Sequence, residues 1–286
     1  MTLAEAVKSY LDQMKLAGRD LDYLKHTRKA LDRFCAQYGE LAVGAIEAAD
    51  VAEFLHGLPF EPLTRRHYRT YLVSAYKWFI RQGWLNHNPA SAVPAPNVRL
   101  PEPGILTVEE TEALFRVNEK EDPGICALLA LGAFAGMRSS AIVRLSREEL
   151  DFKNRAILTP ASKTKKGRRQ FIEGLPDNLW PWLERAPAAA FKMTPRQYAL
   201  RRQKAFERAG LLVTKAQAKK SGAKPKAPPK NCLRHSFVSY HVALHRDPGR
   251  TALLVSHKDQ AILWEHYLGV ARKEDAGRYF STVPTV

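Results

Sequence analysis

The chain has 286 residues, which predicts about two domains at roughly 150 residues each. Hydrophobic residues make up 45%, which is enough for ordinary cores and too much for a disordered protein. No apolar run approaches the ~20 residues of a membrane span, and the amino-terminal residues lack the apolar core of a secretory signal. The cysteines are far apart and form no Cys-x-x-Cys pair, which argues against a disulfide framework or a zinc site and predicts a cytoplasmic protein. They are Cys35, Cys126 and Cys232.

Charge is the most informative part of the composition. Lysine and arginine number 45 against 29 aspartates and glutamates, so the formal net charge is +16. The sequence pI is about 9.8. This balance predicts a polyanionic partner, with nucleic acid favoured over an anionic membrane surface. A soluble basic protein without such a partner remains an alternative on composition alone.

Apolar residues recur at three- and four-residue intervals over the first ~90 residues, which is the period of a helix face. The positions between Leu3 and Met14 predict one helix, and those between Leu24 and Phe34 continue the pattern after a break at Gly18. Asp50 has a side chain typical of an N-cap and is predicted to cap a helix that begins at Val51.

A further helical segment, residues 64–79, opens basic and ends aromatic. Its apolar positions Leu72, Tyr76 and Phe79 are predicted to lie in a core. Its basic residues cannot all be buried, so they are candidate phosphate contacts. These are Arg65, Arg66, Arg69 and Lys77.

Prolines cluster between residues 88 and 103, where regular apolar repeats are few, and this is typical of a linker. The sequence therefore predicts a helical first domain at residues 1–95, a linker at 96–104 and a second domain at 105–286. Thr107, followed by Glu110, has the spacing of a capping box and predicts a helix from about Val108.

Within the second domain, alternation between Leu150 and Leu175 predicts a small antiparallel sheet with a basic turn. The turn carries the candidate DNA contacts Lys165 and Arg168. Residues 192–230 contain twelve basic residues and one acid, and DNA contact is favoured over a merely solvated segment. Arg201 and Arg202 are the DNA-binding candidates there, and residues 219–230 are predicted to form a mobile loop.

Several familiar chemistries lack their residues. The sequence has no phosphate-binding P-loop, no Gly-x-Ser-x-Gly elbow and no carboxylate cluster suited to two magnesium ions. His241 and His245 share a helix face but lack the glutamate of the zinc-protease motif, so they are predicted to be surface or structural histidines. We therefore expect no metal and no other cofactor.

What remains is a cationic set with a tyrosine. Its segments are Phe134-Ala-Gly-Met-Arg138, Ser162-Lys-Thr-Lys165, Leu233-Arg-His-Ser-Phe237, Val255-Ser-His257 and His266-Tyr267. Together and in this order they resemble the tyrosine recombinase (phage integrase) family. The resemblance implies a mainly α, two-domain architecture, with a helical core-binding domain and a mixed α/β catalytic domain that contains a small antiparallel sheet.

The same resemblance implies a site-specific DNA recombinase or integrase that cuts and rejoins DNA through a covalent 3′-phosphotyrosyl intermediate. Its partners would be a double-stranded DNA recombination site and three further copies of the chain, in a tetramer on DNA, with no membrane. Tyr267 would be the nucleophile. Arg138 and Arg234 would bind the phosphoryl oxygens. Lys163 would protonate the leaving 5′-oxygen.

The resemblance also assigns His257 to the phosphate, and it places Asn231 where the family's box usually opens with histidine. Asn231 can donate a hydrogen bond to phosphate but cannot carry a proton. By their chemistry, either His235 or His257 could take the tyrosine's proton or bind a phosphoryl oxygen. His235, beside the second arginine, is interpreted as a structural neighbour.

Ala141 stands where the family usually has an acid, and Ser256 where it usually has glycine. With Asn231, these departures leave open a DNA-binding protein with reduced or lost catalysis. A type IB topoisomerase-like enzyme is a further alternative. The residues after Tyr267 either dock on a neighbouring protomer, with Tyr279 and Phe280 as anchors, or pack on their own domain.

Overall fold

The computed structural model describes residues 1–98, 101–160, 170–257 and 260–285. The chain divides into two compact units, Met1–Leu100 and Pro101–Val286. Both units are mainly helical, and the described strands form one small antiparallel sheet in the second unit. Across these ranges, no helix is both long enough and apolar enough to cross a membrane.

The first unit is a helical bundle around one apolar core. The described helices are α1 (Leu3–Leu16), α2 (Leu21–Tyr38), α3 (Ala48–Gly57), α4 (Pro62–Arg81) and the short α5 (Pro89–Ala92). The apolar positions predicted on α1 and α2 are buried, which confirms the helical periodicity. On α4, the predicted core residues Leu72, Tyr76 and Phe79 are buried as well.

The predicted N-cap of α3 was wrong. The helix begins at Ala48, and Glu47 is its N-cap. Asp50 lies in the first turn, where its carboxylate accepts a hydrogen bond from the Glu47 backbone N–H at 2.8 Å. An acid at the third position of a helix can accept a hydrogen bond from the backbone N–H of the cap residue. Asp50 therefore stabilises the start of α3 from within the first turn and not as its N-cap.

The second unit is built around one buried helix. Its described helices are α6 (Val108–Glu121), α7 (Pro123–Phe134), α8 (Ser139–Ile142), α9 (Leu179–Glu184), α10 (Pro195–Arg208), α11 (Lys215–Ser221), α12 (Cys232–His245), α13 (Pro248–Leu254), α14 (Gln260–Tyr267) and α15 (Lys273–Tyr279). Every residue of α7 from Gly124 onward is buried, because α6, α9, α10 and α12 all pack against it. The Thr107 capping box at the start of α6 is confirmed.

The sheet has the order β1 (Leu150–Asp151), β2 (Ala156–Thr159) and β3 (Gln170–Ile172). Both pairs are antiparallel, with Leu150 opposite Ile157 and Ile157 opposite Ile172. This confirms the predicted sheet. The basic turn between β2 and β3, with Lys163, Lys165 and Arg168, lies outside the described residues.

The lysine-rich segment predicted as a loop has more structure than its composition indicates. Its first residues belong to α11, which starts with a capping box between Thr214 and Gln217 and ends at Gly222 in a left-handed conformation (φ +71°). Lys226 then exchanges two backbone hydrogen bonds with Val213, at 2.8 and 3.0 Å. The capping box and the backbone bridge therefore give defined structure to residues whose composition predicts a mobile loop.

The carboxy-terminal helix α15 packs on its own unit, as in the second of the two alternatives given for the tail. Tyr279 is fully buried, stacks on Tyr240 with ring centroids 4.1 Å apart, and donates a hydrogen bond to the Ala133 carbonyl at 2.7 Å. Phe280 packs edge-on against Phe237. In this structure both apolar anchors are therefore used within the chain.

His241 is the buried histidine of α12 and is structural, as predicted. Its Nδ1 lies 2.7 Å from the Thr251 hydroxyl, which itself donates to the Asp247 carbonyl at 3.0 Å. Because the single hydroxyl proton is used on the carbonyl, His241 Nδ1 is the donor to Thr251. Burial, with His245 nearby, lowers the pKa of His241 from 6.5 to about 3.

We expect this neutral histidine to make the second unit acid-sensitive. Below pH 6.5 the unfolded chain protonates His241 and the folded chain does not, so folding free energy is lost as pH falls towards 3. The loss is at most about 1.4 kcal/mol per pH unit. His241→Asn keeps an amide donor and cannot titrate. Urea titrations followed by methyl NMR signals of the second unit should therefore show the wild type losing more stability than the variant between pH 7 and pH 4.5. A difference between the two proteins that is independent of pH would contradict this assignment.

Candidate active site

Four segments of the second unit meet at an open cleft of about 370 Å³. They are the turn between α7 and α8, the start of α12, the residues after α13, and the end of α14. The cleft brings together five of the six predicted catalytic residues, and the sixth, Lys163, lies outside the described residues. The five are Arg138, Asn231, Arg234, His257 and Tyr267.

Arg234 joins two of these segments through backbone carbonyls. Its Nη1 donates to the Gly136 carbonyl at 2.5 Å, and its Nη2 donates to the Val255 carbonyl at 2.9 Å. Gly136 lies two residues before Arg138, and Val255 lies two residues before His257. This Arg234 bridge therefore fixes the turn that carries one candidate and the segment that carries another.

The turn at Gly136 leaves no room for a side chain. Gly136 has φ +61°, and a Cβ there would lie 2.5 Å from Phe237 and 2.6 Å from Val255. Glycine therefore allows the Arg138 turn to lie directly against α12 and the end of α13. Arg138 itself is exposed, and its side chain borders the cleft.

Tyr267, at the end of α14, is half-buried, and its hydroxyl lies 2.7 Å from His235 Nδ1. The two rings stack at an interplanar angle of 30°, with centroids 5.7 Å apart. Burial raises the pKa of the Tyr267 phenol, while the charges of Arg234 and Arg138 act in the opposite direction. The cleft thus holds a protonated phenol beside an imidazole nitrogen and two cations.

Burial and the charge of Arg234 both lower the pKa of His235 below 6.5, so this imidazole is neutral at pH 7. Burial, reinforced by Arg138, lowers the pKa of Arg234 to about 10, which still leaves it charged at neutral pH. The site therefore combines a neutral imidazole with two charged guanidinium groups.

Asn231, which lines the cleft, and Ser256, which precedes the cleft residue His257, have left-handed backbone conformations. Asn231, the N-cap of α12, has φ +55° and makes no side-chain capping bond, and Ser256 has φ +51°. Asparagine tolerates this region better than most residues. Ser256 occupies a position where the family pattern has glycine, and its φ explains why glycine suits that position.

The DNA-binding candidates on α4 divide by their contacts. Arg65 donates from Nε to the Phe60 carbonyl at 2.8 Å. Arg69 donates to the carbonyls of Val93 and Ser91 at 2.5 and 3.2 Å, so it links α4 to the end of α5. Arg66 and Lys77 are exposed. DNA contact remains a prediction for all four. Arg66 and Lys77 are better placed to reach a phosphate than Arg65 and Arg69, whose side chains already bond backbone carbonyls.

In the second unit, Arg201 forms an ion pair with Asp122 that includes a 2.8 Å bond from Nε to Oδ2. Arg202 has its guanidinium 5.1 Å from the centre of the Phe206 ring, and it borders a small cavity that also contacts Arg138 and Arg234. Among the described residues, no cluster of three or more His, Cys, Asp or Glu side chains could hold a metal ion.

The sequence predicts only a structural role for His235, as a neighbour of Arg234. In the structure its Nδ1 lies 2.7 Å from the Tyr267 hydroxyl. One signal was present in the sequence. His235 lies four residues after Asn231, so it occupies the same face of the helix one turn further along. The His235 backbone N–H also bonds the Asn231 carbonyl at 2.9 Å.

Comparison with known proteins identifies the fold. The chain superimposes on lambda integrase in a tetramer bound to a Holliday junction with a TM-score of 0.70, covering 93% of this chain and 77% of that one at 14% identity. It superimposes on Tn1549 transposon integrase in complex with circular intermediate DNA with a TM-score of 0.64, covering 97% and 98% at 17% identity. The chain has the fold of these integrases.

The sequence comparison agrees in part of the chain. Over 136 residues the chain is 29% identical to the tyrosine recombinase XerC of Oceanobacillus iheyensis, which is 46% of this chain and 45% of that protein. The match thus spans less than half the length of that relative. No family model matches the chain. The resemblance to tyrosine recombinases and the mainly helical fold with a small antiparallel sheet are both confirmed.

Proposed function

We propose that this chain is a tyrosine recombinase, a DNA strand transferase that cuts and rejoins DNA through a covalent 3′-phosphotyrosyl intermediate. The observation that carries the proposal is the cleft in which the Tyr267 hydroxyl lies beside Arg138, Arg234 and two histidines. The integrase fold and the partial match to a tyrosine recombinase support the same activity.

In the proposed reaction Tyr267 attacks a DNA phosphorus and displaces the 5′-oxygen. The phosphodiester energy is kept in the phosphotyrosine bond, so the reverse step can rejoin DNA. Attack builds negative charge on the phosphoryl oxygens. Arg138 and Arg234 neutralise that charge as preorganised donors.

Arg234 can serve both structure and chemistry. A guanidinium has five N–H donors. The Arg234 bridge uses two of them on carbonyls. Three remain for phosphoryl oxygens, and the two carbonyl bonds prevent the group from turning away. A donor that is fixed before the reaction stabilises the transition state without reorganisation.

The remaining roles extend the resemblance. His257 would donate to a phosphoryl oxygen. Lys163 would give a proton to the leaving 5′-oxygen. Asn231 would add a neutral hydrogen bond to the phosphate where the family pattern has histidine. Double-stranded DNA is the proposed partner, bound by four copies of the chain, and the cytoplasm is the proposed compartment.

The nucleophile assignment gives a direct test with a matched control. Tyr267→Phe keeps the ring and removes the hydroxyl, so we expect normal DNA binding and no covalent adduct on a nicked duplex that the wild type cleaves. Tyr279→Phe removes the buried hydroxyl bonded to Ala133. That variant should lose stability by about 1 kcal/mol and still form the adduct. DNA attached to Tyr279, or an adduct in the Tyr267→Phe protein, would overturn the assignment.

The predicted DNA contacts on α4 can be tested by the salt dependence of binding. If Arg66 and Lys77 each neutralise one phosphate, the double variant Arg66→Gln/Lys77→Gln should reduce the slope of log affinity against log salt by about 1.8 on duplex DNA. Lys8→Gln, on the exposed face of α1, is the matched charge control and should leave the slope unchanged. Fluorescence anisotropy between 50 and 300 mM salt measures the slope. Equal slopes for wild type and double variant would exclude both residues as phosphate contacts.

A further inference from the structure

We propose that His235 is the general base that takes the Tyr267 proton. This inference rests on the proposed strand-transfer function and names a catalytic residue within it. It assigns to this histidine the proton-accepting role that asparagine cannot fill.

The geometry is that of a base and its nucleophile. His235 Nδ1 and the Tyr267 hydroxyl are 2.7 Å apart, within the range expected of a general base and the proton it removes. The rings are stacked. Because His235 lies on α12 and Tyr267 on α14, the contact joins two helices that pack against each other. The pair is therefore set by the fold rather than by a local turn.

The protonation states fit this direction of transfer. Among the described residues, the other charged or titratable groups that line the cleft with the His235–Tyr267 pair are Arg234, Arg138 and His257. Burial and the Arg234 charge keep the His235 imidazole neutral at pH 7. A neutral imidazole that accepts at Nδ1 carries its proton on Nε2, so the Tyr267 O–H is the donor in the 2.7 Å bond.

The transfer step is balanced by the groups present. The Tyr267 O–H bond breaks and its proton moves to the lone pair of His235 Nδ1, giving an imidazolium. The phenolate oxygen forms the bond to phosphorus while the bond from phosphorus to the DNA 5′-oxygen breaks. That oxygen takes a proton from Lys163 in the proposed function. During rejoining, the imidazolium returns its proton to Tyr267.

Asn231 cannot compete for this role. It has no basic nitrogen, it is exposed, and its backbone is in the left-handed region. His235 lies one helical turn further along, on the side of α12 that faces α14. A proton acceptor is thus present in the cleft although Asn231 cannot be one.

The hydrogen bond can be tested without DNA or activity. With tyrosine labelled with ¹³C at Cζ, the Tyr267 signal should shift as His235 titrates below pH 6.5, and this shift should disappear in His235→Gln. His245→Gln, also on α12 but outside the cleft, is the matched control and should retain the shift. A Tyr267 signal unaffected by His235→Gln would overturn the proposal, whatever the enzyme's activity.

Single-turnover cleavage then tests the catalytic role. On a nicked duplex that the wild type cleaves, His235→Ala should be slowed by about 10²- to 10⁴-fold at unchanged DNA affinity. Added imidazole should restore part of the cleavage rate, because a small base can occupy the space that the histidine side chain leaves. The restored rate should rise with pH in proportion to the unprotonated fraction of the added imidazole. A purely structural histidine would show no such rescue.

The outcomes separate the two proposals. If the wild type forms an adduct and His235→Ala forms it equally fast, or is slowed without any rescue by imidazole, His235 is not the base and the strand-transfer function stands. If the wild type forms no adduct on a duplex to which it binds specifically, the proposed function fails, and the inference about His235 fails with it.

Discussion

The candidate site depends on one interaction, the bridge from the Arg234 guanidinium to the carbonyls of Gly136 and Val255. A partly buried cation is costly unless its donors are satisfied, and backbone carbonyls satisfy them without cancelling the charge. A carboxylate partner would neutralise the site. The bridge instead leaves the cleft positively charged, as a phosphate site requires.

The same charge shapes the groups around it. It helps to keep His235 neutral and acts against the rise in the Tyr267 pKa that burial causes. Arg138, exposed on the turn fixed by the bridge, adds a second positive charge that lowers the pKa of Arg234. Mutual repulsion of the two cations is the cost of this arrangement, and an anionic phosphate between them would relieve it. We therefore interpret the free cleft as preorganised for an anion.

Sequence patterns predicted the parts of the molecule that local rules decide. Helical periodicity found the cores of α1, α2 and α4, and the Thr107 box located the start of α6. The resemblance to tyrosine recombinases selected Arg138, Arg234, His257 and Tyr267, which the fold brings together. Two failures lie where contacts between residues distant in sequence decide, because Lys226 is held by the backbone of Val213 and His235 depends on α14 being placed opposite α12. The third is local, since the Asp50 carboxylate accepts from the backbone of Glu47 three residues earlier.

Amide hydrogen exchange at His257 measures the effect of the Arg234 bridge most directly. The His257 N–H bonds the Ala252 carbonyl at 2.9 Å, in the segment that the bridge holds. Each lost hydrogen bond to a charged group is worth about 1.5–3 kcal/mol, and each 1.4 kcal/mol is tenfold in an equilibrium. Arg234→Ala should therefore accelerate exchange of this amide by at least about tenfold. Arg138→Ala, which removes an exposed charge from the same cleft, should leave it nearly unchanged. Equal protection in the wild type and Arg234→Ala proteins would contradict the view that this arginine assembles the site.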